Sequence, residues 1–277
     1  MRKSGIAILL ALFLIVAAGC AHHSIRASAT DNVSPVLDNI TKKGELIVGT
    51  AGSMPPFNMT TKSGEIIGFD IDLAQYLADG MGVELKLEVM PFADLLPALE
   101  NGKVDMIISA MTITPERNLK FSFVGPYFVS GKAFLTKKEK IASAQEVSEI
   151  NSPGVTLAAL KGSTSQFFVQ EALPKARLVK TQNYDQAVAM VIGDKVDALV
   201  ADYPICLVSL MRYPNKGLFS LLTPLTYEPF GIAMPANDPH LVNWVENFLN
   251  TMRESGALDD LKSRWFDDDG WLARLPQ

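Results

Sequence analysis

The chain has 277 residues, a formal charge of −5 at pH 7 and 48% hydrophobic residues. It is too long for one small core and suits two lobes of ~100–120 residues each. Because the chain is acidic and its sequence has no basic stripe, we expect no nucleic-acid partner. The chain has 3 histidines and 2 cysteines, none at the spacing of metal ligands or a catalytic triad, so we predict neither a metal nor a cofactor.

The N-terminus has the pattern of a bacterial export signal. Two basic residues precede an apolar run from Ile6 to Ala18, which is short for a membrane span but suits the apolar region of a signal peptide. The run ends in Val16-Ala-Ala-Gly-Cys20, which resembles a lipobox. We therefore predict a lipoprotein signal peptide over 1–20 and lipidation of Cys20, which anchors the protein in the periplasm or at the cell surface. The alternative is cleavage near Ala18, with Cys20 left as a free thiol.

The following residues predict a tether and then an alternating α/β lobe. Residues 21–37 are rich in Ala, Ser, Thr and His without a period, which is typical of a flexible tether. Alternation of strand and helix patterns after it predicts a parallel sheet. The predicted strands are Glu45–Thr50, Glu84–Val89 and Met106–Ser109, and the predicted helices are Asp70–Asp79, ended by Gly80 and Gly82, and Ala93–Glu100.

A second lobe is predicted from Gly131. Its strands are Lys132–Thr136, Val155–Leu160, Arg177–Lys180 and Ala198–Ala201, and its helices are Gln166–Leu173, Tyr184–Ile192 and one opened by Pro204. A strand at Gly231–Pro235, an amphipathic helix over Leu241–Met252 stopped at Gly256, and a last helix at Ala257–Trp265 then return to the first lobe. We expect lobe 1 to comprise 38–130 and 228–277, and lobe 2 to comprise 131–227. The two crossings, near Val129–Lys132 and Tyr227–Phe230, are expected to act as a hinge.

A carboxylate receptor is predicted where the third strand of lobe 1 ends. Thr114-Pro115-Glu116 has the composition of a helix start, with a hydroxyl at the N-cap and proline at the first helical position. Arg117 falls in that first turn, close to the strand end. A helix N-terminus beside an arginine suits a carboxylate ligand.

An acidic counterpart is predicted at Asp202. Gly193-Asp-Lys-Val-Asp197 and the strand after it repeat the scheme of Gly102-Lys-Val-Asp105, and Asp202 stands at that strand's C-terminal tip. Ligands of open α/β sheets bind beyond such tips. A cation on one lobe and an anion on the other match the two ends of an α-amino acid. The alternative is that Arg117 and Asp202 are ordinary surface charges.

Several further stretches resemble the bacterial extracellular solute-binding proteins of family 3, the amino-acid receptors of ABC importers. The resemblance covers about 45–266. The stretches are Gly64-Glu-Ile-Ile-Gly-Phe-Asp-Ile-Asp-Leu-Ala74, Phe92-Ala-Asp-Leu-Leu-Pro-Ala-Leu-Glu-Asn-Gly-Lys-Val-Asp105, Met111-Thr-Ile-Thr-Pro-Glu-Arg117, Gly162-Ser-Thr164 and Gly231-Ile-Ala233. It implies a two-lobed, periplasmic-binding-protein-like α/β fold of type II, with mixed, mostly parallel sheets flanked by helices and a two-strand hinge. The implied partners are an amino acid and an ABC permease, and we expect a monomer.

The resemblance also implies roles for individual residues. By this resemblance, Arg117, Thr112 and the Ala110 backbone are expected to bind the ligand's carboxylate, and Asp202 is expected to bind its ammonium. The family's second-lobe loop, which binds an anionic group of the ligand, corresponds to Ser163 and Thr164. The same pattern also suits simple helix capping. Ligand side-chain contacts fall on Phe92 and on the first loop, where this chain has Met54 and Ala51. That lining is less polar than in some members, which disfavours a strongly cationic ligand. Phe57 is expected in the core, and Cys206 is expected to be a buried filler.

Two other functions stay open at this point. A few proteins of this fold are dehydratases of small carboxylates, which requires an additional acid or base in the cleft. The candidates are Glu65, Glu171 and Glu228, which we assign instead to a turn, a solvated helix face and a hinge-side loop. A sensory module that signals to a receptor is the other alternative.

Overall fold

Two five-stranded sheets and one three-stranded sheet organise the part of the chain that the structure describes. The structure is a computed structural model, and it describes residues 34–144, 146–220 and 224–276. The predicted signal peptide, Cys20 and most of the predicted tether lie outside the described residues. Among the described residues, no helix combines the length and apolar character needed to cross a bilayer.

The elements follow one another in an alternating α/β order. The strands are β1 (Glu45–Thr50), β2 (Ser53–Met54), β3 (Asn58–Thr60), β4 (Ile66–Ile67), β5 (Glu84–Val89), β6 (Met106–Ile107), β7 (Phe121–Ser130), β8 (Lys132–Thr136), β9 (Thr156–Leu160), β10 (Arg177–Thr181), β11 (Ala198–Asp202), β12 (Phe219–Ser220) and β13 (Glu228–Pro235). The α-helices are α1 (Pro35–Lys43), α2 (Phe69–Met81), α3 (Phe92–Glu100), α4 (Pro115–Asn118), α5 (Glu139–Ala142), α6 (Thr164–Ala172), α7 (Tyr184–Ile192), α8 (Tyr203–Arg212), α9 (Pro239–Glu254) and α10 (Ala257–Phe266). Two 3-10 turns lie at Val147–Ile150 and Gly270–Arg274.

The first lobe is built on the sheet β5-β1-β6-β13-β7. Its first three strands are parallel, whereas β13 pairs antiparallel with β6 and β7. The parallel strands place their C-terminal ends on one edge, so the loops after β1 and β6 meet there. The small sheet β2-β3-β4 follows β1 and was not predicted from the sequence, because its strands have only two or three residues.

The second lobe repeats this plan with the sheet β10-β9-β11-β8-β12. Strands β10, β9 and β11 are parallel, and β8 and β12 are antiparallel to their neighbours. Alternate residues of β8 and β11 face opposite sides: Leu135 and Leu199 join the large core that includes the first lobe, while Phe134 and Val200 join a separate cluster on the other face. Helices therefore cover both faces of this sheet.

The chain passes between the lobes twice. It leaves the first sheet after Ser130 and enters the second at Lys132, and it returns at Glu228. Glu228 is paired with Ser130 where β13 meets β7, so the two crossings lie side by side. The two-lobed architecture agrees with the predicted fold class, while the predicted limits of the lobes stay a prediction.

Most predicted elements match the structure closely, and two differences have clear causes. Strand β6 ends at Ile107 rather than Ser109, because the Ser109 side chain accepts from the Ala51 amide and Ala110 turns to a φ of +46°. Gly80 does not end helix α2; Gly82 does, with a φ of +70°. Gly80 instead allows close packing, since a Cβ there would lie 2.5 Å from the Phe248 ring of α9.

A single carboxylate joins the start of the described chain to the returning segment. Asp238 is fully buried and accepts from the Leu241 amide at the start of α9 (2.9 Å). It also accepts from the amides of Val36 (2.8 Å) and Leu37 (3.0 Å) in the first turn of α1. One side chain thus satisfies free amides of two helices. Helix α1 begins at Pro35, so the last residues of the range predicted as tether, 21–37, are helical instead.

Asp238→Ala should therefore lower the free energy of unfolding by about 2–4 kcal/mol, because buried amides of two helices lose a charged acceptor. Urea unfolding followed by circular dichroism measures this. The matched control is Asp259→Ala, whose exposed carboxylate pairs with Lys262 within α10 and should change stability by less than about 0.5 kcal/mol. Equal effects of the two substitutions would contradict the assignment.

Candidate functional site

Arg117 lies where the two lobes meet. Thr114 caps α4 by accepting from the Arg117 amide (3.2 Å), as the sequence predicts. The guanidinium donates to the Thr112 carbonyl at 2.7 Å in its own lobe and to the Gly162 carbonyl at 3.2 Å in the second lobe. Its central carbon lies 5.8 Å from the centre of the Phe92 ring. The arginine is thus held on a ring and reaches across the cleft.

The charge of Arg117 persists in this setting. Burial lowers the pKa of the guanidinium to about 10, while the negative charges of Glu228 and Asp202 act to raise it. The group therefore stays protonated at neutral pH. Both carboxylates thus act electrostatically on Arg117.

Asp202 lies at the C-terminal end of β11 with a buried carboxylate. Its Oδ1 is 2.8 Å from the Nζ of Lys132, the first residue of β8. Burial raises the pKa of Asp202, and the positive charge of Lys132 opposes that rise. The sequence analysis did not predict this ion pair.

Glu228, which the sequence analysis assigned to a hinge-side loop, lies at the start of β13 beside this ion pair. Its Oε2 accepts from the hydroxyls of Thr112 (2.8 Å) and Thr164 (2.9 Å) and lies 3.3 Å from Lys132 Nζ. Its Oε1 accepts from Thr226 at 3.0 Å. Burial acts to raise the pKa of Glu228, but Lys132 and the three hydroxyls lower it overall. A buried, ionised glutamate therefore links a threonine of each lobe.

The loop before α6 brings the second lobe against the first. Ser163 caps the helix by accepting from the Gln166 amide (3.2 Å) and donates to the Leu160 carbonyl, so its hydroxyl serves the capping role. Gly162 has a φ of +77°, and a Cβ there would lie 3.1 Å from Ala93 of α3. Only glycine combines this backbone conformation with so close an approach. Ser163 thus satisfies the Gln166 amide, and the partial positive charge of a helix N-terminus favours an anion nearby.

The remaining predicted positions divide between the cleft and the interior. Phe92 is buried and faces Arg117. Met54 is also buried, with its Sδ 3.8 Å from the Ser109 hydroxyl. Phe57 is fully buried among other aromatic rings, as expected for a core residue. These contacts do not test a ligand role for Phe92 or Met54, which stays a prediction.

Ala110 is fixed by a buried acid behind the cleft. Its amide donates to Asp70 Oδ2 and to the Tyr127 hydroxyl, both at 3.0 Å, so this N–H points into the first lobe. Asn58 also donates to Asp70 Oδ2, at 2.7 Å. Burial raises the pKa of Asp70 to about 6, although these hydrogen bonds act to lower it. The strained turn at Ala110, which positions Thr112 and Arg117, therefore depends on a titratable group.

The arrangement suits binding better than acid–base catalysis. A general acid that acts near neutral pH needs a raised pKa, whereas the pKa of Glu228 is lowered. Glu65 pairs with Arg274 at the surface, and Glu171 is exposed on α6. The cleft instead offers a fixed cation, Arg117, and fixed anions, which is the chemistry of a receptor for a small charged molecule.

Comparisons with known proteins place the chain among binding proteins. The family described as bacterial extracellular solute-binding proteins, family 3, matches residues 46–268. The ABC transporter glutamine-binding protein GlnH of Bacillus subtilis (strain 168) is 31% identical over 276 residues, covering 97% of this chain and 99% of that protein. A binding component of an ABC transporter from Wolinella succinogenes DSM 1740, solved with lysine, is 38% identical with a TM-score of 0.78, covering 83% of this chain and 99% of that chain.

One relative is named as an enzyme. Cyclohexadienyl dehydratase of Pseudomonas aeruginosa is 26% identical over 231 residues, covering 83% of this chain and 86% of that protein. Its identity is lower than that of the two binding proteins. The expectation of a binding protein rather than an enzyme agrees with these comparisons.

Asp70→Asn tests the buried acid behind Ala110. Since the pKa of Asp70 is raised on folding, its favourable contribution is complete below its usual pKa of 3.8 and is lost as the pH rises through about 6. The shift corresponds to on the order of 3 kcal/mol. We expect the stability of the variant, relative to wild type, to increase by about this amount from pH 4 to pH 8 in urea unfolding. Parallel pH profiles for the two proteins would contradict the assignment.

Proposed function

Because the chain belongs to the bacterial extracellular solute-binding proteins of family 3, we propose that it is a lipid-anchored receptor that binds one amino acid between its lobes and delivers it to an ABC permease. A permease partner is supported by the relatives named as parts of ABC transporters. This partner is preferred over a signalling receptor for that reason.

The observation that carries the proposal is the placement of Arg117 and Asp202 on different lobes of one connected polar cluster. Arg117 donates to the Thr112 carbonyl, the Thr112 hydroxyl donates to Glu228, and Glu228 and Asp202 both lie within 3.3 Å of Lys132 Nζ. Arg117 also contacts the second lobe directly through the Gly162 carbonyl. A zwitterion placed between them finds a cation for its carboxylate and an anion for its ammonium.

Ligand capture follows from these contacts. In the proposed sequence, the ligand's carboxylate meets Arg117 on the first lobe, and closure then brings the start of α6 and Asp202 onto it. Water leaves the cleft as the lobes meet, which strengthens each charged contact. Charge-assisted hydrogen bonds contribute roughly 1.5–3 kcal/mol each, so a small amino acid reaches micromolar affinity, about −8 kcal/mol, with a few of them.

The proposed ligand carries a neutral side chain. The cations Arg117 and Lys132 are balanced by the carboxylates Asp202 and Glu228, so these four groups have no net charge. A cleft without net charge suits a ligand without net charge. Met54 and Phe92 add an apolar lining. The relatives include a glutamine-binding protein and a protein solved with lysine, and the charge balance favours a ligand of the first kind.

Calorimetry of the purified protein against the twenty common amino acids tests this function. We expect at least one neutral amino acid to bind with micromolar or lower Kd, and Arg117→Ala to weaken it by roughly 10- to 150-fold, because a charge-assisted clamp is lost. Unchanged affinity in this variant would refute the clamp.

The matched control is Arg177→Ala. Arg177 begins β10 at the end of the second sheet that lies away from the cleft, and its guanidinium bonds the Thr156 hydroxyl. This substitution removes the same charge and should leave the affinity within about twofold of wild type.

The proposed lipid anchor has a separate test. In bacterial cells, wild-type protein should fractionate with membranes, and Cys20→Ser should release it to the aqueous fraction while retaining amino-acid binding. Cys206→Ala is the control, because this thiol is buried in the folded protein and should not affect fractionation. Membrane association of the Cys20→Ser protein would remove the anchor from the proposal.

A further inference from the structure

Lys132 holds the position that the ligand's ammonium needs. Its side chain is 1% exposed, and its Nζ lies 2.8 Å from Asp202 Oδ1. Asp202 is the residue proposed to receive the ammonium. The ammonium of Lys132 therefore competes with the ligand's ammonium for the Asp202 carboxylate.

Glu228 provides a second carboxylate for the same lysine. Its Oε2 lies 3.3 Å from Lys132 Nζ, only slightly farther away than Asp202. The hydroxyls of Thr112, Thr164 and Thr226 fix the Glu228 carboxylate in this orientation. A small displacement of Nζ is thus enough to exchange one partner for the other.

The charges of this cluster leave room for one more cation. Lys132, Asp202 and Glu228 comprise two carboxylates that share one ammonium. A displaced Lys132 without a partner would be a buried unpaired charge, which is strongly unfavourable. With Glu228 beside it, Lys132 keeps a partner when the ligand takes Asp202.

We propose that Glu228 is a positioning residue that determines specificity: it receives Lys132 when the ligand's ammonium binds Asp202. This inference rests on the proposed function and defines its ligand class more narrowly. The site selects small carboxylates with an α-ammonium over the corresponding 2-hydroxy acids, in which a neutral hydroxyl replaces the ammonium.

A simpler role for Glu228 leads to different behaviour. If it only held the lobes together through Thr112 and Thr164, its loss would weaken amino acids and 2-hydroxy acids alike. Removal of Lys132 would then restore nothing. The two roles therefore separate in a double-mutant experiment.

The experiment compares wild type, Glu228→Gln, Lys132→Met and the double variant by calorimetry. The probes are the tightest-binding of the twenty amino acids and its 2-hydroxy-acid analogue. Glutamine retains the shape of Glu228 and removes its charge, and circular dichroism with melting curves verifies folding. The Arg177→Ala protein again serves as the distal control.

We expect affinity for the amino acid to fall when the cluster of Lys132, Asp202 and Glu228 loses a negative charge, and to recover when a positive charge is also removed. Glu228→Gln should weaken it about tenfold or more, because Lys132 then has no ionised alternative to Asp202. The double variant has the net charge of wild type and should recover to within about threefold of it. Lys132→Met should bind at least as tightly as wild type. Affinity for the 2-hydroxy acid should change less than about threefold in Glu228→Gln.

Two results would overturn the inference while leaving the proposed function intact. One is an equal loss of affinity for both probes in Glu228→Gln, and the other is a double variant as weak as Glu228→Gln. Wild-type protein that binds none of the twenty amino acids would instead remove the proposed function, and this inference with it.

A measurement on wild type covers the case in which Glu228→Gln does not fold. In a crystal structure with the tightest amino acid bound, the ligand's ammonium should contact Asp202, and Lys132 Nζ should lie closer to Glu228 than to Asp202. Lys132 still paired with Asp202 and distant from Glu228 would refute the exchange.

Discussion

The bridge that Arg117 forms between the lobes is the interaction on which the rest of the cleft depends. Its two hydrogen bonds end on backbone carbonyls of different lobes, Thr112 and Gly162, so its geometry is fixed by main chain on both sides. The Gly162 backbone reaches it only because no side chain separates that loop from Ala93. The guanidinium is therefore held in one orientation by main chain, and in its proposed role this reduces the entropy lost on binding a carboxylate.

The cleft combines this fixed cation with an exchangeable ion cluster. Lys132 lies between Asp202 and Glu228, and Glu228 is bonded to a threonine from each lobe. In the proposed mechanism, closure of the lobes and recognition of the ligand's ammonium are connected through the Glu228 carboxylate. A buried ion cluster of this kind adds little stability by itself, since desolvation offsets much of the attraction. Its value lies in discrimination between ligands of different charge.

Local patterns in the sequence were enough to predict most of the secondary structure and the fold. Strands β1, β5 and β8 have the predicted limits, and the hydroxyl–proline–acid pattern at Thr114 correctly identified a helix start beside Arg117. These features depend on residues that are neighbours in the chain. The two-lobed fold and the family agree with the sequence-based expectation for the same reason: each motif is local, and their order is informative.

The sequence could not show the partners that fold-level contacts bring together. Lys132 meets Asp202 across 70 positions, and Thr112 meets Glu228 across 116. Periodicity carries no information about such pairs. One signal was available: Lys132 opens a strand in which every residue is buried, and a lysine there requires an acidic partner. The short strands β2 to β4 and the positive φ of Ala110 also depend on tertiary contacts rather than on propensity.

The cap that Asp238 provides has a mechanical consequence. Helix α1 is the first element of the described residues, and Asp238 fastens its first turn to α9 of the first lobe. A force applied at Ser34, where the described chain begins, is therefore borne by the lobe that contains Arg117. The lobe that contains Asp202 is joined to it through the two crossing segments and does not carry this force directly.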